Sequence, residues 1–158
     1  MKTRKLLITR NLYLKTRIRI LRCYVFPTLL YGVESWTLNQ QTTGKMESFE
    51  MWCYRRMLRI SWKDRVRNEQ VLLRMEKRPE IIKTIKVRKL QYLGYVMRGD
   101  RYRILKLIIE GKIQGSRSVG RRTSWLRNLR EWYKVSSIEL FRSAVSRVKI
   151  AMMISKLR

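Results

Sequence analysis

No histidine occurs in the 158 residues. That removes imidazole acid–base catalysis, Ser–His nucleophile pairs and histidine metal sites. Cysteine is limited to Cys23 and Cys53, too few for a zinc site without histidine. Asp64 and Asp100 are the only aspartates, whereas a two-metal polymerase or nuclease centre gathers several carboxylates around its ions. Catalysis by this chain alone is therefore not expected, nor is a cofactor. The two thiols read as reduced and packed in an intracellular protein of nucleus or cytoplasm, with a disulfide between them as the alternative. Long apolar runs are missing as well: none approaches the ~18–20 residues that cross a bilayer.

The shortage of acid sets the charge. Lysine and arginine number 38 against 11 aspartates and glutamates, a formal net charge of +27. A folded chain with that excess repels itself and calls for a polyanion beside it. Nucleic acid is favoured, because each neutralised phosphate releases a condensed counterion. Peripheral attachment to an anionic membrane is the alternative. Yet the chain is 45% hydrophobic, with five Trp, eight Tyr and eight Met, more than a solvated polycation needs. A core inside a positive shell is expected. The first 22 residues hold no acid, as in a mitochondrial transit peptide. They run into the next apolar stripe without a small-residue break, which reads as ordinary protein beginning mid-domain.

The periodicity is helical throughout. Leu14, Ile18, Leu21, Val25 and Leu29 make one stripe, which Pro27 interrupts or restarts and Gly32 breaks. Thr42 or Thr43 can cap a second helix with Met46, Phe49, Cys53, Met57 and Ile60 on one side. Asn68 suits the cap of a short helix bearing Val71, Leu72 and Met75. Pro79 suits the first turn of another, in which Ile81, Ile82, Ile85, Tyr92, Leu93, Val96 and Met97 form an arc. Lys89 intrudes there and is expected to snorkel to water. Gly99-Asp100 ends that helix, and an apolar run follows from Ile104 to Ile109. Ser124 can cap a helix with Trp125, Leu129 and Trp132. Ser136 to Glu139 has capping-box spacing, ahead of Leu140, Phe141, Ala144, Val145, Val148 and Met152. The fold class is all-α: a multi-helix bundle with a basic Gly/Arg loop before the last two helices. The division falls at 1–98 and 99–158.

Three features invite phosphate. In the loop, Gly111, Gly115 and Gly120 accompany Lys112, Arg117, Arg121 and Arg122; glycine admits close backbone approach, and arginine forks bind phosphate oxygens. A solvated connector is the plain alternative. Arg55, Arg56 and Arg59 can track a backbone from one helix, with Tyr54 or Trp52 as a stacking face, unless the rings are core and the arginines only solubilise. Lys15, Arg19 and Arg22 in the basic N-terminal stretch suit either a groove lining or a plain charged surface. Tyr31, Trp36, Trp62, Trp125 and Trp132 read as core anchors rather than stacking platforms. None of these features reads a base sequence.

The run Leu29-Leu30-Tyr31-Gly32-Val33-Glu34-Ser35-Trp36-Thr37-Leu38 resembles a signature that follows the palm in endonuclease–reverse transcriptases of non-LTR retrotransposons. The run Phe49 to Trp62, FEMWCYRRMLRISW, is similar to the family's next segment almost letter for letter. Arg88 to Gly94 and Leu107 to Ile113 resemble two more. Gly120-Arg121-Arg122 with Ser124-Trp125-Leu126, then Glu139 to Arg142, resemble the closing segment of insect-type copies. The resemblance covers nearly the whole chain from about Leu14. It implies a thumb-like helical region over 1–98, and a basic loop with a C-terminal helical segment over 99–158. The palm and fingers of an RNA-directed DNA polymerase, and its endonuclease, would lie upstream as the missing partners. This part would hold template RNA or target DNA during target-primed reverse transcription. No Asp-Asp pair is present to map onto the polymerase aspartates. Tyr95 stands where relatives commonly carry histidine, so any role of that histidine has no counterpart. A decayed or truncated copy, and a free-standing basic protein of a ribonucleoprotein, are the alternatives.

Overall fold

A computed structural model of the chain describes residues 9, 12–113 and 125–157, with backbone only at position 62. Every regular element among the described residues is helical, as the 3.6-residue periodicity predicts. In chain order these are α1 (Leu14–Ile20), a π-helical turn (Leu21–Val25), α2 (Phe26–Leu29), α3 (Gln40–Leu58), α4 (Asn68–Met75), α5 (Ile81–Arg98), α6 (Arg103–Glu110), α7 (Trp125–Tyr133), α8 (Ser137–Val145) and α9 (Arg147–Ser155). Two compact units result: Met1–Tyr31 with Gln40–Ile82, and Gly32–Asn39 with Lys83–Arg158.

In the first unit Pro27 neither ends the helical run nor passes without trace. Its ring would clash with a carbonyl one turn back, and the backbone widens there: Phe26 N–H reaches the carbonyl of Leu21, five residues earlier. A π turn of this kind absorbs the missing bond without a full break. Helix α3 begins at Gln40, so Thr42 and Thr43 lie inside its first turn and Asn39, a favoured cap type, precedes it. Its buried positions are Glu50, Met51, Cys53, Tyr54 and Met57, a stripe rotated from the purely apolar one. Burial pushes the Cys53 thiol up to about 12, so it is an inert packed sulfur. Asn68 does not cap α4. Arg67 takes that position, and the Asn68 Oδ1 instead accepts a 2.8 Å bond from Arg55.

Glu50 explains how α5 starts. Its carboxylate has no solvent exposure and accepts from Tyr54 Oη at 2.8 Å, Glu80 N at 2.7 Å and Ile81 N at 3.3 Å. Those backbone donors are orphans of a helix N-terminus, where the macrodipole also favours negative charge. A carboxylate from α3 thus does the work of a cap, and Pro79 lies just ahead of the first helical residue.

The second unit is built on Leu90, Leu93, Leu129, Leu140, Ala144 and Ile150. Each fully buried leucine contributes about 1.5–3 kcal/mol relative to exposure. Gly94 permits a close crossing: a Cβ there would meet the Ile150 side chain and lie 3.3 Å from the Ala144 carbonyl oxygen. Helix α6 ends as a glycine should end it, with Gly111 at φ +73° and Lys112 N bonded to Leu107 O at 2.9 Å. The Ser136 hydroxyl accepts from Glu139 N at 3.2 Å, as the capping-box spacing predicts. One further break is not in the apolar pattern. Ser146 adopts an extended conformation and caps α9 through Lys149 N, while Arg98 Nη1 takes the Ala144 carbonyl at 2.9 Å, so the last stripe is two helices.

Candidate nucleic-acid interface

Because Glu50, Cys53, Tyr54 and Met57 turn inward, another face of α3 carries Lys45, Phe49, Trp52 and Arg56, spaced four, three and four apart. Residues at such spacings are neighbours along one helix face. Trp52 keeps 45% of its surface exposed. Its ring lies 6.1 Å from that of Phe49, with planes 22° apart, and the Arg56 guanidinium sits 5.4 Å from its centroid. Lys45 and Arg56 are exposed. Of the two candidate stacking faces, Trp52 is therefore open. Tyr54 is 1% exposed, and burial with the neighbouring Glu50 raises its phenol well above the usual range.

The other basic candidates separate into held and open groups. Arg55 is half-buried and donates to Val66 O at 2.7 Å as well as to Asn68, so it fastens the turn between α3 and α4. Arg59 is exposed and ends α3 in the left-handed region at φ 59°. Arg22 is exposed but forms a two-pronged ion pair with Glu80. Lys15 and Arg19 are exposed on α1, whereas Arg17, between them, donates to Met57 O at 2.7 Å. Lys112 is exposed and pairs with Glu110 at 2.6 Å. Arg117, Arg121 and Arg122, like Ser124, lie outside the described residues.

Lys89 does not snorkel. It has no exposed surface, and its Nζ donates to Trp36 O at 2.7 Å and Asn128 Oδ1 at 3.3 Å. The rings of Trp125 and Trp132 lie 5.0 and 5.1 Å from it. Burial lowers its pKa to about 8. Asn128 also exchanges two bonds with the backbone of Leu38, 2.8 Å from Leu38 N and 2.7 Å to Leu38 O, and Trp125 Nε1 donates to Glu34 O at 2.6 Å. Segment 32–39 is thus fastened to α5 and α7 by polar side chains. Trp36, Lys89 and Trp125, each within one of the sequence runs singled out above, all contribute to this network. Of the expected anchors, Trp36, Trp125 and Trp132 are part-buried, Tyr31 is 86% exposed, and the Trp62 side chain lies outside what the structure describes. Tyr95 is exposed too, its hydroxyl 3.0 Å from that of Tyr102.

Among the described residues no group of three or more Cys, Asp or Glu side chains is arranged to hold a metal ion. No helix among them is long and apolar enough to cross a membrane. Comparison with protein-family models, with curated proteins and with solved structures returns no match.

Proposed function

We propose that this chain is a non-catalytic nucleic-acid-binding fragment from the C-terminal region of a retrotransposon reverse transcriptase, holding template RNA or target DNA through phosphate contacts. The observation that carries the reading is where the acids go in a chain of net charge +27. Glu50 is sealed against a helix start, and Glu80, Glu110 and Glu131 pair with Arg22, Lys112 and Arg127. Lys15, Arg19 and Arg56 meanwhile stand exposed. A positive shell around an apolar core is the electrostatic footprint of a phosphate binder. The ordered runs from Leu29 to Arg142 support the retrotransposon origin.

The test is titration of labelled RNA and DNA at several salt concentrations. Affinity should depend little on sequence and fall steeply with salt, each duplex phosphate contact adding about −0.9 to the log–log slope. Replacing Arg117, Arg121 and Arg122 together by Ala should flatten the slope by up to about three units. No primer extension and no DNA cleavage should accompany the purified chain. Affinity that ignores salt, or polymerase activity that follows the chain through successive columns, overturns the reading.

A further inference from the structure

We infer that the Lys45–Phe49–Trp52–Arg56 face of α3 is a stacking platform for single-stranded nucleic acid, with Trp52 as the ring that receives a base. This deepens the phosphate-binding reading and rests on it. Three observations converge. A large aromatic side chain is left 45% exposed on the same helix that buries Tyr54; Tyr13, Tyr24 and Tyr31 are exposed elsewhere in the unit, but it is Trp52 that has both a ring and a guanidinium beside it. Its near neighbours are a second ring, tilted by 22°, and a guanidinium at 5.4 Å. Cations flank the rings on both sides along the helix, from Lys45 to Arg56, about 16 Å apart at 1.5 Å rise per residue. Alternation of flat rings with phosphate-seeking cations is how sequence-tolerant single-strand sites are built.

The geometry also selects against duplex. In a duplex the base faces are stacked on one another and only their edges face the grooves, so a ring on a helix surface finds nothing to stack on. An unpaired base offers its face freely. Arg56 then exchanges partners: its guanidinium leaves the Trp52 ring for a phosphate as the base takes its place. The same stripe of Trp and cations would also suit an anionic membrane surface. Phe49, however, is half-buried rather than presented for insertion.

The experiment is fluorescence anisotropy with the full chain and an end-labelled oligo(dT) of about 12 nucleotides, within the usual site size of such folds, beside a mixed-sequence duplex of the same length. Trp52→Ala should weaken the single strand by roughly 5- to 150-fold, the range of one base–aromatic stack, and leave the duplex within about twofold. Trp52→Leu, which keeps apolar bulk without a flat face, should lose as much, while Trp52→Phe should retain most binding. None of the three Trp52 variants should alter the salt slope, whereas Arg56→Ala should lower it on oligo(dT) by about 0.7. Circular dichroism melts confirm that each variant is folded. The inference is overturned if folded Trp52→Ala and Trp52→Leu bind oligo(dT) as wild type does, or if duplex binding falls equally. A Trp52-dependent blue shift with phosphatidylserine vesicles and none with oligo(dT) also overturns it. Absence of salt-dependent binding to either oligonucleotide would overturn the broader phosphate-binding reading along with it.

Discussion

Among the described residues each unit seals one charged side chain away from water, and the two solve the problem differently. Glu50 in the first and Lys89 in the second both have no accessible surface. Glu50 is surrounded by donors whose need matches its charge: a phenol and two backbone N–H groups at a helix start. Lys89 has no carboxylate partner among its hydrogen bonds; it relies on a carbonyl, an amide oxygen and two indole rings. The first arrangement gives a carboxylate matching donors, while the second holds an ammonium by neutral groups, and burial lowers its pKa.

The comparison predicts unequal consequences of deletion. Glu50→Ala should be the most damaging, because it leaves three donors without an acceptor; at about 1–3 kcal/mol per buried unsatisfied group, a loss on the order of 3–5 kcal/mol is expected. Glu50→Gln should fall between this variant and wild type. Urea unfolding followed by circular dichroism measures both, and a cost below about 1 kcal/mol for Glu50→Ala would show that the contrast between the units is empty.

Lys89→Met tests the other half. Met keeps the length of the side chain without its charge, and replacement of a buried charge by an apolar group of similar volume is often neutral or stabilising, so a change within about 1 kcal/mol of either sign is expected near neutral pH. Lys89→Ala opens a cavity and should cost about 2–4 kcal/mol. The pH dependence is sharper. With the folded value lowered to about 8 and the unfolded value at about 10.4, the unfolded chain binds more protons between them. Stability owed to Lys89 therefore rises as pH climbs through that window. Cys53, raised to about 12, acts in the opposite sense above about pH 9, and the buried phenol of Tyr54 and the part-buried phenol of Tyr133 do so higher still. Those three groups are common to both proteins, so the wild type minus Lys89→Met difference isolates the lysine. A flat difference from pH 7 to 10 would mean the cage does not disfavour the charged form.

The smallest expected effect compares helix ends. Glu76 in the first unit and Lys134 in the second adopt left-handed backbone, at φ 52° and 53°, a conformation that costs a side chain about 1 kcal/mol relative to glycine. Both Glu76→Gly and Lys134→Gly relieve it. Lys134→Gly also removes a like charge from a +27 chain, whereas Glu76→Gly removes a compensating one, so Lys134→Gly should have the higher melting temperature. The reverse order would show that side-chain contacts outweigh net charge at these positions.

What was legible in the sequence was local. The all-α class, the breaks at Gly32, Gly99 and Gly111 and the Ser136 cap follow from periodicity and turn chemistry acting within a few residues. The buried charges were not legible: a binary pattern sends Glu50 to the surface, and Lys89, although on the apolar arc, reads as a side chain that reaches water; partners tens of residues away, Glu80 and Ile81 for one and Trp36 and Asn128 for the other, hold them in. Asn68 and Ser146 show the same limit in reverse. An available Arg55 drew one away from capping, and a competing hydroxyl cut an unbroken apolar stripe in two. For the interface, the sequence offered Trp52 and Tyr54 equally. The hydrogen bond from Tyr54 to Glu50 decides between them, and that acceptor is itself one of the charges that patterning misplaces.

The attachment of segment 32–39 bears on how the chain is made. Its bonds to α7 join residues 90 and 91 positions apart, whereas α3 and α4 close over short loops. At about 5–20 residues per second of synthesis, Leu38 is made roughly 5–18 seconds before Asn128, while local helices settle in microseconds. Leu38 must wait through that interval without the side chain that takes both its backbone N–H and its carbonyl. A nascent chain halted before Asn128 should therefore bind a chaperone holdase through this segment and release it once α7 is complete.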